Sequence, residues 1–428
     1  MMNDRIVKSN EFLGESYTKI SHKSGLDVYI FPKKLTTAFA LFGTKYGSID
    51  NKFRIKGEKE ITEVPNGIAH FLEHKLFDNE DGFDTFSRYA ETGANANAFT
   101  SFEKTAYLFS CTENFEESLE ILLDFVTKPY FTEKSVQKEQ GIIGQEIKMG
   151  EDNPARVLFF NMLDAMYESH PVKISIAGTV DSIAKIDADL LYKCYNTFYN
   201  LNNMVLCVCG DVEVDSVLKV CDKILKKAPV CEIERIFDEE PDNVLSRRIT
   251  AKMQVAKPLF DIGIKDNKIP SEPTERLCKA AGMAVLNEML FSKSSKIFND
   301  LYNEGLISNT FEYCYSISES FAFNELSGEA NDPELVYGRI FEYIKEKQNT
   351  GLDKAEYERC KKVIFADFIK TFDNTEEIAY ELMSYIFEGC DLFDYADAVK
   401  NLTFEYVNEL LGSMFNEEFF TMSTVFPV

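Results

Sequence analysis

Two of the four histidines of the chain lie in one short window, His70-Phe71-Leu72-Glu73-His74. On a helix, residues four apart project from the same face, so both imidazoles can reach one metal ion at the roughly 2.0–2.1 Å that zinc prefers. Glu73 shares that face, and its carboxylate can act as a general base toward a nearby water without binding the metal. The inverted spacing H-x-x-E-H therefore predicts a zinc site with an adjacent base. The alternative is a pair of histidines satisfied at the edge of a core, which would bury a glutamate without a compensating cation.

A tetrahedral catalytic zinc site needs a third protein ligand, and its fourth position is left for water. A long amphipathic helix predicted from Glu133 to Gly150 offers Glu139 and Glu146, which are seven residues apart in the sequence. Seven residues are about two helical turns, so the two carboxylates lie on one face within about 20°. Paired acids at this spacing are also typical of a solvated helix face, and the spacing alone leaves both interpretations open.

Strands and helices around these residues follow an order that is typical of an α+β domain. Residues 17–50 are predicted to form several strands, and a helix is predicted to begin at Asn66 as the N-cap. The remaining predicted elements are a helix in GFDTFSRYAETG, strands in ANAFTS and TAYLFSC, helices in NFEESLEILLDFVT and near residues 155–168, and a strand in NMVLCVCGDV. We assign residues 1–227 to this first domain.

A charged segment at residues 228–247 contains two prolines and has no sustained period, so it is predicted to be a linker. Residues 248–428 then form a second predicted domain with a similar order of elements. The strand-like PLFDIGIKD is followed by a long helix, by further strands and by helices that end in KAEYERCKKVIFADFIKTF.

Two local alignments indicate that the second domain is a duplicate of the first. They pair Gly67–His74 with Gly282–Met289, and Glu133–Ile147 with Asp353–Asp367. Among the differences between the copies, His70 is replaced by Val285, His74 by Met289 and Glu146 by Ala366. The first half is therefore predicted to carry the chemistry, and the second half is predicted to be a scaffold that binds no metal.

Composition excludes several classes of partner. Acidic residues outnumber basic ones by 71 to 46 along the chain of 428 residues, which argues against a nucleic-acid partner. No stretch approaches the roughly 18 apolar residues of a membrane helix, so no membrane partner is expected. The polar N-terminal sequence has no apolar run typical of a secretory signal, and we predict a cytoplasmic location. The 10 cysteines have no C-x-x-C spacing and are predicted to be small core residues in a reducing compartment.

The H-x-x-E-H motif, followed by the helix that carries Glu139 and Glu146, resembles the insulinase (pitrilysin) family of zinc metallopeptidases, in particular its short bacterial members similar to the mitochondrial processing peptidase. The resemblance covers the whole chain. It implies one zinc ion per chain, bound by His70, His74 and Glu146, with Glu73 as the base and Glu139 supporting the site. It also implies two similar halves, each a mixed or antiparallel sheet covered by helices, that close as a clamshell over a chamber.

The segment ANAFTS at residues 96–101 resembles the edge strand with which this family binds an extended substrate as an added strand. The resemblance implies that Asn97, Ala98 and Thr100 contact the substrate.

The second half departs from the family pattern, which has an arginine and a tyrosine that stabilise the transition state. In the matching stretch DLYNEGLIS, Tyr302 stands at the place of the arginine and Ser308 near that of the tyrosine. Tyr302, Tyr313 and Tyr315 are candidate transition-state donors, although tyrosines on a strand more often belong to a core or a rim. The resemblance also implies another route, in which a paralogue in a heterodimer supplies the arginine and the tyrosine; a homodimer is the other assembly considered.

The sequence thus favours a zinc-dependent endopeptidase of the inverted H-x-x-E-H type, which cleaves peptides or unfolded segments with a metal-activated water and could serve in peptide processing. The alternative is a non-catalytic or weakly active subunit of a heterodimeric peptidase, or a binding module. Such members of the family usually have a degraded H-x-x-E-H motif, whereas the motif of this chain is intact.

Overall fold

A computed structural model describes residues 4–428, in which strands and helices alternate along the chain. The strands are β1 (Asp4–Asn10), β2 (Glu15–Ser21), β3 (Asp27–Pro32), β4 (Ala38–Thr44), β5 (Lys52–Ile55), β6 (Thr62–Glu63), β7 (Asn95–Thr100), β8 (Thr105–Cys111), β9 (Met204–Gly210), β10 (Ile233–Arg235), β11 (Arg248–Met253), β12 (Leu259–Lys265), β13 (Glu312–Ile317), β14 (Ala322–Glu329) and β15 (Phe420–Pro427). The helices are α1 (Ile68–Lys75), α2 (Thr85–Thr92), α3 (Phe115–Val126), α4 (Glu133–Glu151), α5 (Pro154–Met166), α6 (Val180–Ile183), α7 (Ala188–Phe198), α8 (Val214–Ile224), α9 (Pro273–Phe291), α10 (Lys296–Asn303), α11 (Pro333–Thr350), α12 (Lys354–Lys370), α13 (Thr375–Phe387), α14 (Asp394–Asn401) and α15 (Phe404–Met414). Short 3₁₀ turns lie at Pro171–Lys173, Leu201–Asn203, Thr371–Asp373 and Glu417–Phe419.

The chain forms two compact units, each with its own hydrophobic core. The first unit comprises the chain as far as Ile147 together with Ser175–Ile236 and Thr371–Phe387. The second unit comprises Lys148–Ile174, Phe237–Lys370 and Glu388–Val428. Each unit therefore includes a segment from the other half of the sequence.

Five strands of the first sheet, β3-β9-β4-β8-β7, have the same topology as the five strands of the second sheet, and β1 and β2 extend the first sheet. The first sheet has the order β1-β2-β3-β9-β4-β8-β7, and the sheet of the second unit has the order β11-β15-β12-β14-β13. In each sheet one pair of strands is parallel, β3 with β9 in the first sheet and β11 with β15 in the second. The other pairs are antiparallel. The predicted fold class is therefore confirmed: each unit is a mixed sheet covered by helices, and the second unit repeats the first.

An exchanged helix covers one face of each sheet. Helix α13 packs against β4 and β9, and a Cβ at Gly43 would lie 2.4 Å from the sulfur of Met383. Helix α5 packs in the same way against β12 and β15, where a Cβ at Gly263 would lie 2.4 Å from the sulfur of Met162. The predicted boundaries, 1–227 and 248–428, assign α5 to the first domain and α13 to the second. In the structure, α5 packs in the second unit and α13 packs in the first.

The predicted linker at residues 228–247 is partly ordered as a strand. It contains β10, which pairs antiparallel with β5 of the first unit in a small sheet completed by β6. A strand of three residues is too short for an alternation of apolar and polar residues to be recognised in the sequence. Among residues 4–428, no helix combines the length and the apolar character needed to cross a bilayer.

A pair of acids, the buried Asp261 and the half-buried Glu325, lies on one face of the second sheet. Asp261 on β12 is opposite Ser423 on β15, and Glu325 on β14 is opposite Gly263. Because residues two apart on a strand share a face, the side chains of Asp261 and Glu325 lie on the same side of the sheet. Burial, together with the charge of Glu325, raises the pKa of Asp261 well above its usual value.

We expect Asp261→Asn to raise the melting temperature at pH 8 and to leave it unchanged near pH 4. The contribution of Asp261 to the free energy of unfolding has its full value below about pH 4, where an aspartate in the unfolded chain is also protonated. This contribution is lost as the pH rises toward the raised pKa of the folded state. Each pKa unit is worth about 1.4 kcal/mol, and each 1 kcal/mol shifts the melting temperature by roughly 2–4 °C in a unit of this size. Thermal unfolding of both proteins between pH 4 and pH 8 checks this, and a difference that does not grow with pH contradicts it.

Candidate active site

The helix that carries the two histidines begins where two backbone segments cross. Its N-cap is Gly67, whose φ of 90° lies in the left-handed region that glycine adopts without strain. A Cβ at Gly67 would lie 2.4 Å from the carbonyl oxygen of Ala177, and one at Gly178 would lie 2.4 Å from that of Asn66. The prediction of Asn66 as the N-cap is therefore wrong by one residue, and the Asn66 side chain instead accepts a hydrogen bond from Asn51.

The imidazoles of His70 and His74 turn their Nε2 atoms toward the carboxylate of Glu146 on α4. His70 Nε2 is 3.5 Å from Oε1 of Glu146, and His74 Nε2 is 3.5 Å from Oε2. One ligand atom from each of the three side chains lies within 4.8 Å of the others. These contacts are longer than ordinary hydrogen bonds, whereas neighbouring ligands of a zinc tetrahedron with bonds near 2.0–2.1 Å are about 3.3 Å apart. The three side chains therefore have the spacing of a metal-ligand set.

Glu139, two turns before Glu146 on α4, holds His74 through its other nitrogen. His74 Nδ1 is 3.0 Å from Oε1 of Glu139. Because an ionised carboxylate only accepts hydrogen bonds, Nδ1 carries the proton and donates it, which leaves the Nε2 lone pair for a metal. Burial alone would lower the pKa of His74, but the hydrogen bond with Glu139 and the charges of the neighbouring glutamates raise it. Burial opposes the charge of Glu139 as well, yet its hydrogen bond with His74 leaves its pKa lowered.

His70 is held in a different way. Its Nδ1 atom is buried and has no hydrogen-bond partner among the described residues. The His70 ring instead meets the ring of His74 edge-on, with the centroids 4.6 Å apart. Packing, rather than a hydrogen bond of the kind that fixes His74, therefore orients the first imidazole.

Glu73 lies on α1 between the two histidines but outside the ligand set. It is 9% exposed, and its Oε2 atom accepts a hydrogen bond of 2.6 Å from the hydroxyl of Thr100 on β7. A carboxylate in this position is available as an acceptor for a proton close to the ligands, which is the role that the sequence predicts for it.

Strand β7, predicted to bind substrate, is the last strand of its sheet. Asn97 is exposed, and its Oδ1 atom accepts a hydrogen bond of 2.9 Å from the backbone N–H of Ala98. That N–H therefore points away from β8, toward the open edge. A strand added at this edge would have to displace the Asn97 side chain. The Thr100 side chain contacts Glu73, so for this residue the structure leaves only the backbone to a strand added at the edge.

The three candidate transition-state donors all lie in the second unit. Tyr302 on α10 is 43% exposed and stacks on Phe298. On β13, the hydroxyl of Tyr313 donates to Glu288 at 2.7 Å, and that of Tyr315 donates to Asp266 at 2.6 Å. Burial, with the adjacent carboxylate, raises the pKa of both β13 tyrosines. The two hydroxyls are thus already engaged by carboxylates of their own unit.

The other two histidines have structural contacts. His22, in the turn between β2 and β3, lies between the Ser24 hydroxyl at 2.8 Å and the Asp222 carboxylate at 3.1 Å. His170 accepts a hydrogen bond from the N–H of Val172 and so caps a 3₁₀ turn. Burial lowers the pKa of His170 to about 4.

Comparison with known proteins decides the family. The family model described as insulinase (peptidase family M16) matches residues 59–180, and that described as peptidase M16 inactive domain matches residues 185–364. The chain belongs to the insulinase family. This confirms the resemblance proposed from the H-x-x-E-H motif and the acidic helix.

Relatives of this M16 chain include zinc proteases by name. The Bacillus subtilis protein named zinc protease YmfH is 40% identical over 422 residues, which are 97% of this chain and 98% of that protein. The mitochondrial-processing peptidase subunit beta of Caenorhabditis elegans is 31% identical over 171 residues, or 39% of this chain and 37% of that protein. The crystal structure of an M16-like peptidase from Alicyclobacillus acidocaldarius is 31% identical, with a TM-score of 0.92 over 100% of this chain and 99% of the other.

Proposed function

We propose that this M16 chain is a zinc-dependent endopeptidase that hydrolyses peptides or unfolded segments, with one zinc ion held by His70, His74 and Glu146. The observation that carries the proposal is the 3.5 Å spacing of the two Nε2 atoms from the two oxygens of one carboxylate. Two imidazoles and one carboxylate are a donor set of catalytic zinc sites, which keep a fourth position open. When bound, zinc supplies Lewis acidity that polarises a carbonyl and makes water more acidic.

The protein's own groups would provide proton transfer and orientation. Glu73 would take a proton from the attacking water and deliver it to the leaving amine. Glu139 would keep His74 in the tautomer that presents Nε2, as its 3.0 Å contact with Nδ1 supports. The open edge of β7 would bind the extended backbone of the substrate at Ala98 once the Asn97 side chain has moved. Pairing of this kind needs no free chain terminus, which favours cleavage within a chain.

A second candidate function is a weakly active subunit of a heterodimeric peptidase. Two observations favour it. Residues 185–364 match the model named for an inactive domain, and Tyr302 and Ser308 replace the expected arginine and tyrosine. Peptide processing and the cytoplasmic location remain predictions from the sequence under either function.

We expect about one zinc ion per wild-type chain and almost none in His70→Ala. The variant removes one of three protein ligands, and two ligands do not hold catalytic zinc at neutral pH. Metal analysis of the purified proteins measures this, with His22→Gln as a control that removes a histidine of the same unit outside the ligand set. Equal zinc content in wild type and His70→Ala would overturn the assignment of the site.

A further inference from the structure

We propose that Thr100 is a positioning residue that holds Glu73 in the orientation required of a general base. The inference rests on the proposed function and deepens it. Its first basis is the hydrogen bond of 2.6 Å between the Thr100 hydroxyl and Oε2 of Glu73. An ionised carboxylate can only accept, so the hydroxyl donates and its bond occupies one of the two carboxylate oxygens. The other oxygen, Oε1, is left to receive the proton.

The surroundings of the pair explain why one hydroxyl can set the orientation. Glu73 is 9% exposed, so bulk water contributes little to holding its carboxylate. A hydrogen bond to a charged group contributes about 1.5–3 kcal/mol, enough to favour one side-chain rotamer strongly over its alternatives. Thr100 is itself fixed, because it lies in β7 directly opposite Thr105 of β8.

Thr105 does not compete for the same carboxylate. Its hydroxyl donates to the carbonyl oxygen of Tyr46 at 2.9 Å and lies 3.4 Å from that of Thr100. The donor to Glu73 from the edge strand is therefore Thr100, and loss of its hydroxyl removes this bond together with the longer contact to Thr105.

The duplicated unit has a comparable contact, made from a different register position of its edge strand. In the alignment of Gly67–His74 with Gly282–Met289, Glu288 occupies the position of Glu73. The carboxylate of Glu288 accepts a hydrogen bond of 2.7 Å from the hydroxyl of Tyr313, which lies on β13, the edge strand of the second sheet. In both units a hydroxyl of the edge strand thus binds the glutamate at the same position of the two aligned helices. In the first unit the same connection fixes a glutamate that lies beside metal ligands.

The test compares Thr100→Val with Thr100→Ser. Valine keeps the branched shape and the preference for a strand but removes the hydroxyl, whereas serine keeps the hydroxyl. We expect Thr100→Val to lower kcat about 10- to 100-fold, the scale of a misplaced catalytic group, with KM and zinc content unchanged. Thr100→Ser should restore kcat to within a few-fold of wild type. In crystals of metal-free Thr100→Val, the Glu73 carboxylate should leave its wild-type position.

The matched control is Thr44→Val, in the same row of paired strands. Thr44 is opposite Thr105, and its hydroxyl donates to the carbonyl oxygen of Phe198 at 2.6 Å rather than to Glu73. The Thr44→Val variant should have a lower melting temperature than the wild type but the same kcat. Wild-type kcat in Thr100→Val, an equal loss in Thr100→Ser, or loss of zinc from Thr100→Val would overturn the positioning role. Failure of the proposed function is separate: it would appear as wild-type protein without zinc-dependent hydrolysis, whatever the position of Glu73 in the crystals.

Discussion

Glu73→Gln is expected to retain zinc and to lower peptide hydrolysis by about 10² or more. Glu73 is not one of the three side chains in the ligand set, so its replacement leaves the metal site intact. The amide of glutamine cannot take a proton from water, and loss of a general base typically costs 10²–10⁴ in rate. The amide oxygen can still accept the hydrogen bond from Thr100, so the variant changes the chemistry more than the geometry.

The contrast that makes this result decisive is Glu146→Gln. In the wild-type protein the carboxylate of Glu146 faces both Nε2 atoms. The amide of the variant should bind zinc poorly, so both zinc content and hydrolysis should fall. Kinetics and metal analysis on the two variants separate a base from a ligand. Full activity in Glu73→Gln would show that the proposed mechanism is wrong, while loss of zinc from that variant would make Glu73 part of the ligand set.

Local periodicity is enough to predict the elements of the site. A four-residue step on a helix places His70 and His74 on one face, and a seven-residue step places Glu139 and Glu146 on another, whatever the rest of the fold does. The structure brings these two faces together, as the ligand distances show. What periodicity does not supply is the pairing of the two helices, which came from the family resemblance.

Contacts between residues far apart in the sequence could not be predicted in this way. The start of α1 depends on Gly67 meeting Ala177, and the orientation of Glu73 depends on Thr100. Strand alternation does place Thr100 on the same face as Ala98, but nothing local indicates that this face of β7 meets α1. The exchange of α5 and α13 between the units could not be predicted for the same reason. The sequence of an amphipathic helix shows which face is buried, but it does not show which sheet that face packs against.

The isolated chain is expected to be a weak peptidase, because the donors expected in its second half are missing or engaged. Tyr302 and Ser308 replace the expected arginine and tyrosine, and the Ser308 hydroxyl lies 2.7 Å from that of Thr310. Tyr313 and Tyr315 could substitute only by leaving their carboxylate partners. A preorganised donor contributes about 2.7–4 kcal/mol to the transition state, a factor of 10²–10³, so two missing donors cost several orders of magnitude.

A partner that supplies an arginine and a tyrosine would remove this deficit, and we expect a paralogue of the same family to do so. Peptidase assays on the isolated chain, on Tyr302→Phe and on a mixture with such a paralogue distinguish the two routes. A large gain on mixing, which is lost when the paralogue's arginine is replaced, supports the partner. A fall in the activity of the isolated chain with Tyr302→Phe would instead assign the donor to this chain. Full activity of the isolated chain without gain on mixing would rule out the partner and leave the zinc site unaffected, since His70, His74 and Glu146 all belong to the first unit.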